Sequence, residues 1–270
     1  MNNLKSFQFL TVILFTAFIF SGTGLIQAQN SLEGKVLLAV FAHPDDERRI
    51  SPIMAKYTRQ GAKVYLVIAT DGRYGVNDHS GLKAGDGLVA IRKEEMKCAA
   101  SKIGVELIHL NYHDQLRANE GYDGHIPHIR ALIKELDGIV ERVKPDAIIT
   151  WGPDGGTNHM DHRLVGASVT QVYLNKKREK PMSLYYYGIP SEEITSEEQK
   201  MLIGVDIKYL KTKVGFEKQD YERALSSLAC HVSQVNEEGM EKFRKQNGKE
   251  GTVIYLRKLL VPNKVSNTIF

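Results

Sequence analysis

Short apolar runs alternate along the chain with longer stretches in which apolar residues recur every three or four positions. Runs of this length that are rich in branched residues and end at a polar loop are typical of buried strands. Six strands are predicted in this way, over Val36–Val40, Val64–Ala69, Val105–Leu110, Ala147–Thr150, Leu184–Gly188 and Thr252–Leu256.

The stretches between these runs predict helices. Ser51 is expected to cap the first helix, with Pro52 at its first position and Gly61 at its end. Further helices are expected over Leu88–Ile103, Ile126–Val143 and Lys213–Val235, with a charged loop or short helix over Ser191–Lys200. Strands that alternate with helices of this length favour a parallel α/β sheet with right-handed crossovers. We therefore predict one α/β domain with a C-terminal elaboration.

The loop after the first strand, Phe41–Glu47, carries one imidazole and three carboxylates. In an α/β sheet the loops at the carboxyl ends of the strands meet at one edge, where ligands bind. Like charges this close favour a bound cation. His43 and Asp46 can both face one metal ion, which leaves Asp45 to act on a metal-bound water. An acidic turn that caps a helix is the alternative on this segment alone.

The loop after the fourth strand supplies two more candidate metal ligands, His159 and His162. Asn158 or Thr157 can cap the following helix, which would place both imidazoles in its first turn and on one face. A catalytic zinc site needs three ligands from His, Asp and Glu and one open position for water. The two loops together can provide that set.

The N-terminus differs from the rest of the chain. Residues 1–28 contain Lys5 as their only charge, an apolar stretch from Phe9 to Phe20, and a small residue, Ala28, before Gln29. This pattern predicts a secretory signal peptide over 1–28, with an uncleaved anchor as the alternative, followed by one domain over 29–270. Loss of Lys5 lowers the formal net charge from +4 to +3, which is too mild to indicate nucleic-acid binding. Cys98 and Cys230 can pair or remain free thiols.

Four motifs in this order resemble the LmbE/PIG-L family of zinc-dependent de-N-acetylases. They are His43-Pro-Asp-Asp-Glu47, Thr70-x-Gly72, Arg92-x-x-Glu95 and His159-x-Asp161-His162, with a weaker match at His231-x-Ser233-Gln234. The resemblance covers about residues 36–175. It departs from the family pattern at Met160, where many members have proline, and at Ser51-Pro52, where glycines are common.

The resemblance implies a Rossmann-like three-layer sandwich with a mostly parallel sheet. It implies zinc held by His43, Asp46 and His162, with Asp45 as the general base on the zinc-bound water. His159 would stabilise the oxyanion or protonate the leaving amine as a cation, and Asp161 would help to set its charge. Two His and one Asp also suit Fe²⁺ and other divalent metals, so the metal stays open.

Arg92, Asp114 and His231 are predicted to bind substrate. The alternatives are a surface ion pair between Arg92 and Glu95, a strand-end position without a role for Asp114, and a structural histidine at His231. The Tyr185–Tyr187 run can stack on a sugar ring, although packing within a strand is its commoner use.

The function expected from the resemblance is removal of an N-acetyl group from an amino sugar or glycoconjugate outside the cytoplasm, in the periplasm or the extracellular medium. A non-catalytic carbohydrate- or metal-binding protein on the same fold is the main alternative. A phosphate-binding loop at Gly152–Gly156 is disfavoured, because no Gly-x-Gly-x-x-Gly follows the first strand. No stable membrane insertion is expected after signal cleavage, and a homo-oligomer stays open.

Overall fold

Nine strands form the sheets in the computed structural model, which describes residues 31–261 and 264–269. The predicted signal peptide, 1–28, lies outside the described residues. The strands are β1 Val36–Phe41, β2 Lys63–Thr70, β3 Glu106–Tyr112, β4 Ala147–Trp151, β5 Ser183–Tyr187, β6 Ile189–Pro190, β7 Gly204–Val205, β8 Thr212–Gly215 and β9 Val253–Lys258.

Seven α-helices alternate with or follow these strands in the described residues. They are α1 Ser51–Arg59, α2 Asp86–Ile103, α3 Gly121–Val143, α4 Met160–Leu174, α5 Glu197–Ile203, α6 Lys218–Leu228 and α7 Glu237–Asn247. Short 3₁₀ turns occupy Asp46–Arg49, Asp78–Ser80, Asp114–Glu120 and Ser191–Glu193. Within the described part of the chain, no helix is both long and apolar enough to cross a membrane.

The main sheet has the strand order β3-β2-β1-β4-β5-β9-β8. The first five of these strands run parallel, whereas β9 pairs antiparallel with both β5 and β8. β6 and β7 form a separate two-stranded parallel sheet. The mostly parallel α/β fold with a C-terminal elaboration is therefore confirmed.

Helices cover both faces of the sheet, and successive side chains of a strand point to opposite faces. Leu37, Ala39 and Phe41 of β1 pack with α1 and α2 on one face, and Leu38 and Val40 pack with α3 and α4 on the other. Helix α6 lies against α1 and α2. The result is the predicted three-layer sandwich.

The helix predicted over Lys213–Val235 is wrong at both ends. Lys213 and Val214 belong to β8, where they pair with Tyr255 and Ile254 of β9. Helix α6 begins only after Glu217, whose side chain forms a capping box with Asp220. The local pattern is misleading here because the pairing partner of β8 lies in a distant part of the sequence, which local periodicity does not contain.

Two other helix starts differ from the prediction. Ser51 is the first residue of α1 rather than its N-cap, a position that Ile50 takes. Helix α3 begins at Gly121, five residues before the predicted start at Ile126. Pro127 lies inside this helix. The other predicted strands and helices lie within a few residues of their predicted positions, whereas β6, β7 and α7 were not predicted.

Cys98 of α2 and Cys230, just after α6, form a disulfide with a Cα–Cα distance of 5.8 Å. The pairing that the sequence left open is thus present in the structure. It joins the C-terminal part of the chain to the helix that follows the second strand.

Candidate metal and catalytic site

The candidate site lies at the carboxyl ends of β1 and β4. These neighbouring parallel strands stand where the order of the sheet reverses, since β2 and β3 extend from β1 and β5 extends from β4. A crevice forms at such a reversal because the loops from the two strands diverge. The loop after β1 delivers His43, Asp45 and Asp46, and the loop after β4 leads to His159 and His162.

The hydrogen bonds of His43 and His162 leave one nitrogen of each ring facing the other. His43 Nε2 lies 3.1 Å from Asp161 Oδ2 and 3.2 Å from Asp114 Oδ1, so it carries the hydrogen. His162 Nδ1 lies 2.8 Å from the Gly155 carbonyl oxygen, which can only accept. When both rings are neutral, the remaining nitrogens, His43 Nδ1 and His162 Nε2, carry lone pairs and are 3.1 Å apart. Two facing lone pairs at this distance repel each other unless a cation lies with them.

Asp46 adds a carboxylate to these two nitrogens. Its Oδ1 lies 3.1 Å from His162 Nε2, and its Oδ2 lies 3.6 Å from His43 Nδ1. Backbone N–H groups of Ala42 and His43 donate to Oδ2 and fix the carboxylate. Ligands about 2.0–2.1 Å from a tetrahedral metal stand roughly 3.3 Å apart. The spacing of the three predicted ligands therefore fits a divalent metal ion.

The charges around the site also favour a cation. Burial alone would lower the pKa of His43, but hydrogen bonds to Asp114, Asp161 and Asp46 raise it well above its usual value. Burial would raise the pKa of Asp46, but His162 and His43 hold it well below its usual value. Three carboxylates thus surround one imidazole, which is an excess of negative charge that a divalent ion would neutralise.

Asp45 has a left-handed backbone conformation, with φ of 95°. Such a conformation is uncommon outside glycine and persists where neighbouring groups hold it. Asp45 donates its backbone N–H to Glu47 Oε2 at 3.0 Å, and Arg92 Nη2 lies 2.8 Å from its Oδ1. Arg48 Nη1 lies 3.5 Å from its Oδ2. The carboxylate is therefore held by these contacts, and 14% of its side chain stays exposed.

His159 is the N-cap of α4, rather than Asn158 or Thr157 as predicted. Its Nδ1 accepts the backbone N–H of Asp161 at 3.2 Å, so the hydrogen of the neutral ring is on Nε2. The ring is exposed and packs edge-on against His43, with 4.6 Å between centroids. Burial and then the charges of His43 and His162 lower the pKa of His159. The expected cation is thus disfavoured, and a neutral hydrogen-bond donor is favoured.

A family model described as PIG-L, GlcNAc-PI de-N-acetylase, matches residues 38–173, which is half of the chain. The chain belongs to the PIG-L family. As a PIG-L protein it is similar to a probable N-acetyl-alpha-D-glucosaminyl L-malate deacetylase 2 of Bacillus cereus, with 29% identity over 74% of this chain and 83% of that protein.

Other relatives align over a shorter region. A 1D-myo-inositol 2-acetamido-2-deoxy-alpha-D-glucopyranoside deacetylase of Corynebacterium diphtheriae is 35% identical over 48% of this chain, and the chain spans 50% of its length.

Solved structures share the fold of this PIG-L chain. The zinc-inhibited teicoplanin deacetylase Orf2 superposes with a TM-score of 0.64, 14% identity, and coverage of 86% of this chain and 100% of that one. The N,N'-diacetylchitobiose deacetylase of Pyrococcus horikoshii gives 0.60, 22% identity, and 83% and 84% coverage. The 4-carboxy-2-hydroxymuconate hydratase of Pseudomonas putida gives 0.61, 17% identity, and 87% and 99% coverage. The same fold therefore carries more than one reaction.

The side chain of Asp161 in this PIG-L site contacts His43, and only its backbone N–H contacts His159. Its side chain is fully buried, and its Oδ2 lies 3.1 Å from His43 Nε2 and accepts the backbone N–H of Gln115 at 2.8 Å. Its negative charge does raise the pKa of His159, but less than burial and the neighbouring imidazoles lower it. Its main contact therefore orients a predicted ligand.

The three side chains predicted to bind substrate lie beneath the site rather than on its surface. Arg92, Asp114 and His231 are only 2%, 4% and 0% exposed. Arg92 donates to the carbonyl oxygens of Pro44 and Gly72 as well as to Asp45, and it forms no surface pair with Glu95. Their low exposure corrects the predicted placement: they support the loops and offer a substrate little surface.

Asp114 and His231 each hold a different loop. Asp114 accepts hydrogen bonds from the Thr70 hydroxyl and the backbone N–H of Tyr74, and it faces His43. His231 Nε2 lies 2.7 Å from Glu47 Oε1, and both side chains are fully buried. Burial would lower the pKa of His231, but the charge of Glu47 raises it.

Three residues near the site had no predicted role. Glu47 joins His231 to the backbone of Asp45. Glu95 accepts hydrogen bonds from the backbone and hydroxyl of Ser233. Trp151 stacks on His162, with 4.3 Å between ring centroids and planes 4° apart. Glu47 and Glu95 lie within the matched motifs, which is the signal that could have indicated them, whereas the stacking of Trp151 has no local signal.

The site requires a glycine at position 72. Its φ is +66°, and a Cβ there would lie 2.4 Å from Arg92 Nη1. Glycine therefore lets Arg92 approach the loop closely enough to bind its carbonyl oxygen.

Proposed function

We propose that this PIG-L protein is a metal-dependent deacetylase that removes the acetyl group from an N-acetylated amino sugar or glycoconjugate. The observation that carries the proposal is the convergence of His43 Nδ1, His162 Nε2 and the Asp46 carboxylate, beside a separately held Asp45. The names of the Bacillus and Corynebacterium relatives describe deacetylases of N-acetylated glucosamine derivatives, which supports the same reaction here.

His43, Asp46 and His162 would hold the metal ion. Zinc is the proposed metal, because nitrogen and carboxylate ligands at this spacing suit a tetrahedral site, although Fe²⁺ accepts the same donors. When bound, the metal polarises the acetyl carbonyl and lowers the pKa of a coordinated water. Asp161 and Asp114 would keep His43 in the tautomer that presents Nδ1 to the site.

Asp45 is proposed to take the proton from the attacking water. In hydrolysis the water oxygen bonds to the acetyl carbon, the carbon–nitrogen bond breaks, and the amine nitrogen gains a proton. Asp45 can carry that proton from the water to the amine, because Arg92 and Glu47 hold it in one position and 14% of its side chain stays exposed. Acetate and the free amino sugar are the products.

His159 is proposed to donate a hydrogen bond from Nε2 to the oxygen on which negative charge develops. Its Nδ1 is engaged by the backbone of Asp161, so its free donor points away from the helix it caps. A fixed donor at such an oxygen typically contributes about 2.7–4 kcal/mol to catalysis. A neutral ring is sufficient for this role.

The deciding test is amine release from a panel of N-acetylated amino sugars by the metal-loaded protein. Wild type should release amine, and Asp45→Asn should lower kcat by about 10²–10⁴-fold while it still binds one equivalent of metal. Asp123→Asn, an exposed substitution on α3, is the matched control and should leave kcat unchanged.

Two results would contradict the proposal. Metal binding without amine release from any substrate would favour the carbohydrate- or metal-binding alternative. Full activity in Asp45→Asn would refute the role of that carboxylate. Because the fold also carries a hydratase, amine release rather than sequence similarity decides the reaction class.

We also propose that the protein is exported and that residues 1–28 are removed. The sequence pattern of that segment supports export, and the Cys98–Cys230 disulfide is consistent with it, since disulfides persist mainly in oxidising compartments. The mature protein should begin at Gln29 in the periplasmic or extracellular fraction, which N-terminal sequencing would check. An intact Met1 in the cytoplasmic fraction would contradict export.

A further inference from the structure

Glu47 and His231 form a buried pair beneath the loop that carries the proposed general base. His231 Nε2 lies 2.7 Å from Glu47 Oε1, and both side chains are 0% exposed. Within the described residues, neither side chain forms a hydrogen bond to a predicted metal ligand or to His159. A buried pair of this kind typically adds no more stability than apolar residues of similar volume. Stability alone therefore does not explain the pair.

Glu47 also contacts the proposed base, at its backbone. Its second oxygen, Oε2, accepts the backbone N–H of Asp45 at 3.0 Å. Asp45 has φ of 95° and ψ of −12°, a left-handed conformation that costs about 1–3 kcal/mol in a residue other than glycine. An acceptor placed at this N–H favours the left-handed backbone over a relaxed one. Because the backbone sets the direction of the Cα–Cβ bond, the same contact directs the Asp45 carboxylate.

His231 holds Glu47 in place from a distant part of the chain. The backbone N–H of His231 donates to the Leu228 carbonyl oxygen at 3.1 Å, which continues the turn after α6. The His231 carbonyl oxygen accepts from the N–H groups of Gln234 and Val235 at 3.0 and 2.8 Å. Among the described residues Nδ1 of the ring has no hydrogen-bond partner, so Nε2 is the ring nitrogen that binds the protein. The imidazole is therefore a fixed donor for Glu47.

Arg92 holds Asp45 at the other end. Its Nη2 donates to Asp45 Oδ1 at 2.8 Å and also to the Pro44 carbonyl oxygen. A carboxylate that is held at its backbone by one group and at its oxygen by another has little freedom to turn. Loss of either contact would let the base move, and a displacement of about 1 Å between reacting groups can lower a rate by about 10²-fold.

We propose that Glu47 and His231 are positioning residues for the base: the pair holds the backbone of Asp45 in its left-handed conformation and so directs the carboxylate at the attacking water. This inference rests on the proposed deacetylase function. The pair should determine kcat, whereas KM and metal affinity should depend on other groups, because the pair lies beneath the site and contacts no predicted ligand side chain.

The first test replaces the pair by apolar residues of similar volume, in Glu47→Met/His231→Leu. This variant lacks the acceptor for the Asp45 N–H, so kcat for amine release from N-acetylated amino sugars should fall about 10²-fold. KM and the calorimetric Kd for Zn²⁺ should stay unchanged, and the free energy of unfolding should not fall. If the double variant does not fold, Glu47→Met alone should give the same fall in kcat.

Glu47→Gln is the conservative variant. Its amide oxygen can still accept the Asp45 N–H, and its amide nitrogen can donate to His231 Nε2 in the other neutral tautomer of the ring. It should therefore retain most of the kcat that the apolar variant loses. A fall in kcat as large as that of the apolar variant would overturn the inference.

A double-mutant cycle tests whether the pair acts through Asp45. In an Asp45→Asn background, Glu47→Met/His231→Leu should lower kcat no further, because residues that act as a unit are not additive. The matched control is Asp137→Leu/Arg178→Met, which replaces a half-buried ion pair between α3 and the segment after α4 and should leave kcat unchanged.

Three results of these experiments would also overturn the inference. They are an unchanged kcat in the apolar variant, a full additional fall in the Asp45→Asn background, and a fall in kcat that comes with loss of Zn²⁺ binding. If wild type releases no amine from any N-acetylated amino sugar, the proposed function fails separately. A crystal structure of the apolar variant then tests the pair, and a φ of Asp45 that stays positive would overturn its role.

Discussion

Hydrogen bonds to the far nitrogens of two imidazoles determine what this site can bind. His43 gives its Nε2 hydrogen to Asp161 and Asp114, and His162 gives its Nδ1 hydrogen to Gly155. The near nitrogens are left as acceptors that face each other. The three donor residues could be predicted from the sequence. Which nitrogen of each imidazole faces the site could not, because hydrogen-bond partners after β3 and after β4 decide it.

A substitution of His159 separates its capping role from its proposed catalytic role. Asparagine is a favourable N-cap, so His159→Asn should change the free energy of unfolding by less than about 0.5 kcal/mol. It removes the Nε2 donor, so kcat should fall by about 10²–10³-fold. Urea unfolding and steady-state kinetics measure both quantities. His79→Asn, an exposed histidine, is the control, and an unchanged kcat in His159→Asn would contradict the proposed donor.

The turn that follows α6 braces the loops of the site. His231 binds Glu47 of the first loop, Ser233 binds Glu95 of α2, and Gln234 donates to the carbonyl oxygen of Gly75. The disulfide from Cys230 to Cys98 fastens the same turn to α2. A late segment of the chain therefore holds the first and second loops together. It contacts the site although it lies outside the matched region, 38–173.

Loss of this disulfide should destabilise the fold. The two cysteines are 132 residues apart in sequence, and cross-links that close long loops typically contribute about 2–4 kcal/mol. Cys98→Ser/Cys230→Ser should lower the free energy of unfolding by that amount in urea titrations. Reductant should destabilise wild type and leave the double variant unaffected. Oxidised wild type has no titratable thiols and reduced wild type has two. Equal stability of these two forms would contradict a stabilising role for the disulfide.

The molecule as a whole gathers its donors from both halves of a doubly wound sheet. His43 and Asp46 follow β1, His162 follows β4, and their supports come from β3 and the turn after α6. A metal ion bound by these three residues would bind the folded chain far more tightly than the unfolded one, in which the donors are dispersed. Metal binding and folding would therefore be coupled.

Metal removal tests this coupling. At a free metal concentration of 100 times its Kd, the folded state should gain about 2.7 kcal/mol, and a chelator should remove that gain. Thermal unfolding with and without Zn²⁺ measures it. His162→Asn should abolish the shift, whereas Asp45→Asn should keep it, because Asp45 is proposed as a base and not as a ligand. A shift that persists in His162→Asn would contradict the proposed ligand set.

The sequence by itself determined the α/β order of elements, the five parallel strands and the donors that their loops deliver, since local periodicity and short motifs encode these features. The tertiary structure alone decided the placement of β8, the pairing of the cysteines and the burial of Arg92, Asp114 and His231. The physical reason is distance along the chain. The contact of His231 with Glu47 spans 184 residues, and packing decides it rather than any local pattern.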